Sequence, residues 1–539
     1  MRYLQQLLDT AKTPQTARLS YRPEQVANSA GGYAWAVDNW TRLERFLILG
    51  SEGGTYYIGE RELSLENAAA LRECLQADGL RVVKTVRDVS AAGRAPKSDP
   101  ALFALALASS PKFADPKTNA AALQALPEIA HTGTHLCNFA AFAEKARGWG
   151  RGLRSAVARW YLSKPAAELA YQLMKYQHRD GWSHRDLLRL SHPQAETPAH
   201  HALFQWAVDG ELGHWAAPDV LAGELRQLQA FELARKARSE HEIVQLIENY
   251  RLTHEMIPSA WKNSARVWEA LLDSMPYLAL VRNLGKLTAV GLLAPQSPAT
   301  ALAVARLIDR KRVANSGVHP IALLSALLTY RQGRGVKGHL QRAPVANVID
   351  ALDQAFYLAF DNIEPSGKRI YLALDASGSM QQATCLGLPH VSAAMASAAF
   401  AMVFARTEPH CTLAAFHDRI WHLDITRQDR LDRACAAILR EPRGTDASLP
   451  FEDALDRDLA VDAFVIITDS ETWSGDRHPA QALERYRRHT GIPAKLLVIA
   501  MAANQYSISD PNDAFQMDVA GFDASVPGIV ANFIPGRLL

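Results

Sequence analysis

The stretch KRIYLALDASGSM, residues 368–380, decides the fold of the C-terminal part of the chain. It begins with a short aliphatic and aromatic run and then changes to small and polar residues. A continuous apolar run of this length is typical of a strand buried on both faces of a parallel sheet. Asp375, Ser377 and Ser379 stand at its carboxyl end, where open α/β sheets bind their ligands. We therefore predict a strand that brings oxygen ligands to a sheet edge.

Three more apolar runs of strand length follow, at residues 411–418, 463–470 and 495–502. Segments with helical spacing of apolar residues alternate with them, at 391–406, 431–440 and 479–489. Alternating strands and helices predict a doubly wound α/β domain. The turn Pro365-Ser366-Gly367 precedes the first strand, so we place this domain at residues 366–539 and a first domain at residues 1–365.

The polar residues at the predicted strand ends form a candidate metal site. Its members are Asp375, Ser377, Ser379, Thr445 in the loop after a predicted helix, and Asp469 at the end of the predicted strand at residues 463–470. Carboxylate and hydroxyl oxygens suit Mg²⁺ first, with Mn²⁺ or Ca²⁺ as alternatives, and do not suit zinc. Ser and Asp near strand ends also occur as simple turn residues. The matched elements on successive strands favour the metal site.

The first two-thirds of the chain has a different pattern. From about residue 68 to residue 360, short segments with helical spacing follow one another, separated by polar or Pro- and Gly-containing breaks. A run of helical hairpins predicts an α-solenoid. The alternative is one irregular all-α domain, since no strict repeat period is visible.

Composition excludes several classes of protein. The 539 residues are 48% hydrophobic and 21% charged, as in ordinary globular proteins. No apolar run reaches the roughly 18 residues of a membrane span, and the N-terminus lacks the apolar core of a secretory signal. The five cysteines are scattered without a CxxC pair, so neither a disulfide framework nor a zinc cluster is indicated. We expect a cytoplasmic protein that does not associate with membranes.

Charge is distributed unevenly. Residues 366–539 carry 16 Lys or Arg and 21 Asp or Glu, although the whole chain has a net charge of +2. The basic excess therefore lies in the first domain and is densest in residues 145–192. That segment contains Lys145, Arg147, Arg151, Arg154, Arg159, Lys164, Lys175, Arg179, Arg185 and Arg189. Interleaved aromatic residues could stack on exposed bases, so the segment predicts an anionic partner such as RNA.

Local spacing refines this prediction. Lys175 and Arg179 are four residues apart, which would place them on one helix face. Ser183 and Asp186 fit a capping box, and a helix that begins there would carry Arg185 and Arg189 on one face. His184 would lie at its N-terminus, where free N–H groups favour phosphate. The alternative interpretation is a solvated helical face with the aromatic residues in the core.

Several stretches together resemble the Ro autoantigen family. TRLERFLILGSEGGTYY (41–57), GWGRGLRSAVARWY (148–161), KYQHRDGWSHRDLLRLSH (175–192) and RNLGKLTA (282–289) are similar to its TROVE module. GVHPIALLSALLTYRQGRGVKG (317–338), EPSGKRIYLALDASGSM (364–380), ITDSETWSGDRHPAQAL (467–483) and DVAGFDAS (518–525) extend the resemblance almost to the C-terminus. The matched order Asp-x-Ser-x-Ser, Thr, Asp resembles the metal-ion-dependent adhesion site of von Willebrand factor A domains.

The resemblance implies an α plus α/β fold, a ring of HEAT-like helical repeats closed by a von Willebrand factor A domain. It implies a monomeric ring that binds small noncoding Y RNA on its outer surface and the single-stranded 3′ ends of misfolded RNA or ribosomal RNA in its hole. It also implies cooperation with an exoribonuclease such as polynucleotide phosphorylase. The RNA-contacting positions carried over are Lys175, Arg179, His184 and Arg185; from the local charge pattern we add Arg151, Arg154 and Arg189. Arg443 stands where the family pattern has Gly, so a long cation lies beside the metal site.

Three functions follow from these patterns. The leading hypothesis is an RNA-binding scaffold for noncoding RNA quality control, decay and ribosomal RNA maturation, without catalytic activity. The second is an adhesion-type module whose metal binds a carboxylate of a partner protein. The third, a metal-dependent nuclease or phosphatase, fits poorly because such sites use more carboxylates and a base that activates water.

Overall fold

A computed structural model of the chain describes residues 13–49, 68–95, 97–212, 217–334, 341–360, 365–382, 392–426, 429–441, 444–502, 504–521 and 525–534. Two parts are distinguishable within these ranges. Helices dominate up to residue 358, and a six-stranded sheet with flanking helices follows from residue 370. Both the helical part and the α/β part predicted from the sequence are confirmed.

The helical part is a two-layered array. Its α-helices span Asn39–Leu49, Ala69–Ala91, Asp99–Ala108, Pro116–Ile129, Gly133–Arg147, Arg151–Leu162, Ala166–Lys175, His184–Ser191, Pro198–Asp209, Pro218–Ala222, Arg226–Lys236, Glu240–Tyr250, Ala265–Ser274, Tyr277–Ala289, Pro298–Leu307, Arg310–Ser316, Pro320–Arg331 and Ala346–Leu358. Short 3₁₀ turns occupy Pro14–Thr16, His254–Met256 and Ser259–Trp261. Many helices begin after a capping side chain, such as Asp115, Thr197 and Ser297, which accepts hydrogen bonds from the first free N–H groups.

Alternate helices of this array stack on one another. The helix Ala69–Ala91 packs on Pro116–Ile129, and that helix packs on Arg151–Leu162, which contacts His184–Ser191. The helix between the first two, Asp99–Ala108, packs in turn on Gly133–Arg147. Stacking of every second helix is the arrangement of a solenoid, in which each repeat buries its apolar face against the next. This arrangement confirms the solenoid over the irregular all-α alternative.

The strands form three sheets. Strands in chain order are β1 (Gln25–Ala27), β2 (Tyr33–Ala36), β3 (His178–Arg179), β4 (Trp182–Ser183), β5 (Ile370–Asp375), β6 (Cys411–Phe416), β7 (Ile420–His422), β8 (Ala463–Thr468), β9 (Lys495–Ala500), β10 (Tyr506–Ser507) and β11 (Gln516–Ala520). The main sheet has the order β11-β9-β8-β5-β6-β7, parallel throughout except for the edge strand β7. Its helices span Gly378–Gln382, Ala393–Thr407, Leu431–Ile438, Leu449–Asp456, Pro479–Thr490 and Ser525–Phe533.

Residues along the central strands alternate between two cores. Leu372 and Leu374 of β5 pack in the same core as the helix Ala393–Thr407, and this core is continuous with that of the helical array. Tyr371 and Ala373 point to the opposite face, where a second core contains Phe451 and Tyr486 of other helices. Because both faces are covered, β5, β8 and β9 are buried along their whole length. The sheet is therefore doubly wound, as predicted.

Both ends of the helical array pack on the α/β domain. At one end β2 pairs antiparallel with β10, and Arg45 of the first helix donates to Asp518 of β11 at 2.6 Å. At the other end the helix Pro320–Arg331 packs on Ala393–Thr407, and Arg331 forms an ion pair with Asp432 at 3.3 Å. An array whose two ends meet on one domain is a closed ring, the shape implied by the family resemblance.

Within the ranges described above, no helix combines the length and apolarity that a bilayer crossing would require.

Candidate metal site and RNA interface

Four of the five predicted metal-site residues lie together at one edge of the main sheet: Asp375, Ser377, Ser379 and Asp469. The fifth, Thr445, lies in a loop whose backbone bonds to the segment after Asp469. Asp375 is the last residue of β5, and Asp469 directly follows β8, its neighbour in the sheet. Ser377 precedes, and Ser379 lies within, the short helix that follows β5. Thr445 belongs to the loop before the helix Leu449–Asp456, and its carbonyl accepts hydrogen bonds from the Trp473 and Ser474 N–H groups, four and five residues after Asp469. All five side chains are buried.

Hydrogen bonds fix the orientation of Asp375. Its Oδ1 accepts from the Ser377 N–H at 2.9 Å, and its Oδ2 accepts from the Thr468 hydroxyl at 2.6 Å. The hydroxyls of Ser377 and Ser379 lie 3.1 Å apart. Each oxygen is thus held at the sheet edge before any ligand arrives, which lowers the entropic cost of binding one.

The carboxylate of Asp469 has fewer hydrogen bonds than that of Asp375. Asp469 Oδ1 accepts from the Glu471 N–H at 3.1 Å, but its buried Oδ2 accepts no hydrogen bond of standard geometry from the described residues. Burial, followed by the nearby Asp375 and Glu471 carboxylates, raises the pKa of Asp469 well above its usual range, and the Ser379 hydroxyl offsets part of this rise. Burial also raises the pKa of Asp375.

Two buried carboxylates in mutual repulsion are stabilised by a proton or by a cation. The donor set of two carboxylates and three hydroxyls fits a hard divalent cation. No group of three or more His, Cys, Asp or Glu side chains with metal-binding geometry occurs in the described ranges, so the hydroxyls are a necessary part of any such site. Arg443, predicted to modulate occupancy, lies outside the described residues.

The basic segment contains a hairpin that the sequence analysis did not predict. The helix Ala166–Lys175 ends at Lys175, and β3 and β4 then pair antiparallel around Asp180 and Gly181. Both turn residues have positive φ, 49° and 81°. Arg179 lies on β3, so the prediction that Lys175 and Arg179 share a helix face is wrong. Asp-Gly is a strong signal for this type of turn, and it outweighed the helical spacing.

Two of the seven predicted RNA-contacting side chains are turned inward. His184 is 3% exposed, its Nδ1 lies 2.8 Å from the Tyr161 hydroxyl, and its ring stacks on Trp160. Burial lowers the pKa of His184 to about 4, so the ring is neutral at physiological pH. This position disfavours the predicted direct contact between His184 and phosphate.

Lys175 is half-buried and already has partners. Its Nζ donates a hydrogen bond to the Tyr171 hydroxyl at 3.1 Å and lies 3.4 Å from Glu255 Oε1. Burial acts to lower the pKa of Lys175, but Tyr171, Glu255 and Tyr176 raise it to about 12. Lys175 is therefore a positively charged group committed to an internal ion pair.

The other five predicted RNA-contacting residues are exposed. Arg151 and Arg154 lie on the helix Arg151–Leu162, and Arg185 and Arg189 lie on the adjacent helix His184–Ser191. The predicted capping box is present, because Ser183 Oγ accepts from the Asp186 N–H and Asp186 Oδ2 accepts from the Ser183 N–H. None of these four arginines forms an ion pair with another described residue, whereas Arg179 lies 3.8 Å from Asp180. We call Arg151, Arg154, Arg185 and Arg189 the arginine face.

Comparison with known proteins places this geometry in a family. The chain matches the TROVE domain over residues 26–215 and 247–329 and the Ro60 vWA domain over residues 369–534. The chain belongs to the Ro60 family. It is 39% identical to the RNA-binding protein RO60 of Deinococcus radiodurans over 542 residues, with all of both chains covered. It is 34% identical to the RNA-binding protein RO60 of Caenorhabditis elegans, over 95% of this chain and 90% of that protein.

A solved Ro60-family structure has the same fold. The crystal structure of the Deinococcus radiodurans RO (RSR) protein superposes with a TM-score of 0.72 at 38% identity, over 93% of this chain and all of that one. The resemblance noted in the sequence is therefore confirmed in both domains.

In this Ro60-family chain, a set of residues that no sequence motif marks contacts the two loops that carry Thr445 and Asp469. They lie in residues 13–36, which we call the N-terminal strap. The buried Gln15 side chain donates to Asp446 Oδ1 at 2.7 Å, and the buried Asn28 side chain donates to the Thr472 carbonyl at 2.8 Å. No local motif marks these residues, because their partners are more than 430 positions away in the chain.

Proposed function

We propose that this Ro60-family chain is an RNA-binding scaffold without catalytic activity. The observation that supports this most directly is the arginine face, four exposed cations on two adjacent helices that form no ion pair with the residues that the structure describes. Unpaired guanidinium groups bind phosphate in bidentate geometry and release counterions from the RNA. The two relatives, which match 95% or more of the chain, are named as RNA-binding proteins.

The finer assignment concerns which RNA binds where. We propose that a small structured RNA of the Y RNA type binds the outer, arginine-bearing surface. Single-stranded 3′ ends of misfolded noncoding or ribosomal RNA would enter the central hole, where only an unpaired strand fits by shape. An exoribonuclease such as polynucleotide phosphorylase would then act on the RNA that the ring presents, in RNA decay and ribosomal RNA maturation in the cytoplasm.

The metal site has a separate proposed role. Asp375, Ser377, Ser379, Thr445 and Asp469 would hold one divalent cation, most suitably Mg²⁺. A bound cation would supply positive charge for an acidic group of a partner. Asp469 Oδ2 supports this role, because it accepts no hydrogen bond of standard geometry from the described residues and so is open to a cation. Protein docking at this edge would then accompany RNA binding on the helical array.

Binding of one structured RNA with a single-stranded 3′ tail tests the RNA-binding proposal. We expect the affinity to fall steeply between about 50 and 200 mM salt, because each neutralised phosphate contributes about −0.7 to −0.9 to the logarithmic slope. Reversing the charge at two positions of the arginine face, Arg185→Glu with Arg189→Glu, should weaken RNA binding by about two orders of magnitude. The dependence of affinity on salt should become shallower by the amount expected for loss of about two phosphate contacts.

The matched control is Arg485→Glu with Arg488→Glu, which makes the same charge change on the helix Pro479–Thr490 of the α/β domain. RNA affinity of the control should stay within about twofold of wild type. A salt-independent affinity, or equal losses in both double variants, would contradict the proposed interface. Cleavage of the RNA by the purified chain with Mg²⁺ would contradict the absence of catalysis.

A further inference from the structure

We propose that the N-terminal strap, residues 13–36, is part of the cation site's supporting structure, so that cation binding and docking of the strap stabilise each other. The coupling goes beyond RNA binding and does not depend on it. It rests on the proposed cation site and on contacts between the strap and the two loops that carry Thr445 and Asp469.

Gln15 bridges the two loops. Its amide nitrogen donates to Asp446 Oδ1 and to the Arg477 carbonyl, both at 2.7 Å. Its amide oxygen accepts from the Thr472 hydroxyl, which also lies 3.3 Å from the Thr445 carbonyl. The side chain is completely buried. Gln15 thus connects the residue after Thr445 with the third residue after Asp469.

Asn28 holds a strained segment next to Asp469. Ser470 has a φ of 62°, a left-handed conformation that is strained in a non-glycine residue. The Asn28 amide donates to the carbonyls of Ser470 at 3.4 Å and Thr472 at 2.8 Å. The strap backbone also packs closely against this loop at Gly32, where an added Cβ would lie 1.8 Å from the Thr472 carbonyl oxygen. The strap therefore helps to keep the backbone after Asp469 in a shape that it would not adopt alone.

Glu471 completes the connection between the strap and the site. The buried Glu471 carboxylate accepts from the Ala30 N–H at 2.9 Å and from the Tyr506 hydroxyl. The same Tyr506 hydroxyl lies 2.9 Å from the Ser29 hydroxyl. These contacts bind Glu471 to the strap, while its backbone N–H still donates to Asp469.

The consequence is thermodynamic. A cation that requires Asp469 and Thr445 in their observed positions binds better when the strap holds their loops. By linkage, the bound cation must then stabilise the docked strap by the same free energy. Since the strap carries β1 and β2, and β2 pairs with β10, a docked strap is also one of the two junctions that close the ring.

Mn²⁺ binding to the full chain tests the first half of this coupling. Free Mn²⁺ is measured by electron paramagnetic resonance for the wild type, Gln15→Ala and Asn28→Ala. We expect each variant to bind Mn²⁺ about tenfold more weakly than the wild type, which corresponds to about 1.4 kcal/mol. Asn138→Ala is the matched control, because it removes a buried amide that donates to Asp99 within the helical array. Its Mn²⁺ affinity should equal that of the wild type.

Hydrogen exchange of the wild-type strap tests the second half and needs no strap variant. Mn²⁺ should slow amide exchange in residues 25–36, and the effect should vanish in Asp375→Asn. Mn²⁺ affinity unchanged in folded Gln15→Ala and Asn28→Ala would overturn the coupling, as would strap exchange that Mn²⁺ does not alter. A wild type that binds no Mn²⁺ would overturn the cation site and the coupling together, and would leave the RNA-binding proposal intact.

Discussion

The metal-site edge and the arginine face hold their functional side chains in opposite ways. At the sheet edge, Asp375 and Asp469 are buried, and neighbouring residues fix Asp375 at both carboxylate oxygens. On the helical array, Arg185 and Arg189 are exposed, and within the described part of the chain neither forms an ion pair that would fix its side chain. A rigid site suits a small ion with strict geometry, whereas mobile cations suit a polyanion whose phosphates vary in position.

The same contrast divides the basic segment itself. Trp160, Tyr161 and His184 form a buried aromatic cluster, and Lys175 turns toward Glu255. The neighbouring arginines project outward. One continuous motif therefore contains both the buried side chains that support the surface and the exposed arginines that form it. Burial alone distinguishes the two groups of side chains.

The largest effect that we predict would separate the two regions completely. Asp375→Asn removes one of two carboxylates from a buried site, so Mn²⁺ affinity should fall by more than about 100-fold. RNA affinity should stay within about twofold, because the arginine face lies on another domain. Isothermal titration with each ligand measures both. Asp458→Asn, an exposed residue of the same domain, should change neither. Parallel loss of both affinities in Asp375→Asn would show that the two regions are not independent.

A second prediction concerns the buried half of the basic segment. Burial lowers the pKa of His184 to about 4 in the folded chain, whereas an unburied histidine has a pKa of 6.5. Between these values the unfolded chain binds a proton that the folded chain does not, so the free energy of unfolding falls as pH falls from about 6.5 to about 4. At 1.36 kcal/mol per unit the loss is about 3 kcal/mol.

Urea unfolding between pH 4 and pH 7 measures this loss. His184→Gln should lower the free energy of unfolding at pH 7. It should also reduce the number of protons taken up on unfolding between pH 4 and pH 6.5 by about one. His201→Gln, at an exposed position, should leave the stability at pH 7 unchanged. A wild-type slope retained in His184→Gln would show that other groups cause it.

The smallest effect that we predict compares an exposed arginine with the half-buried lysine of the same basic segment. Arg185→Gln should lower RNA affinity about fivefold and reduce the salt slope by about one phosphate. Lys175→Gln should change RNA affinity less than twofold, because the lysine is paired with Glu255, and should instead lower thermal stability. Fluorescence anisotropy with labelled RNA at several salt concentrations distinguishes these outcomes. Equal losses of affinity would mean that Lys175 leaves Glu255 to meet RNA.

Sequence patterns were most informative where side chains are buried at strand ends. Apolar runs located β5 and β8 to within two residues, and Asp375 and Asp469 follow directly from strand ends that adjoin in a parallel sheet. Spacing failed at Arg179, where the Asp180-Gly181 turn overrode the helical pattern. Nor did it reveal the orientation of His184, whose side chain points into the core against Trp160 and Tyr161 although the helix that it begins is exposed at Arg185. The roles of Gln15 and Asn28 could not be predicted from any local sequence pattern, because their contacts form only when the whole ring closes.

The N-terminal strap has a consequence for synthesis of the chain. Gln15 leaves the ribosome 457 residues before its partner Thr472, and at about 5–20 residues per second this interval lasts tens of seconds. The helical array can assemble during that time because its contacts are between near neighbours. Ring closure must await translation of β10, near the other end of the chain. Until then β2 has an unpaired edge, which is the kind of surface that pairs wrongly with other chains or engages chaperones.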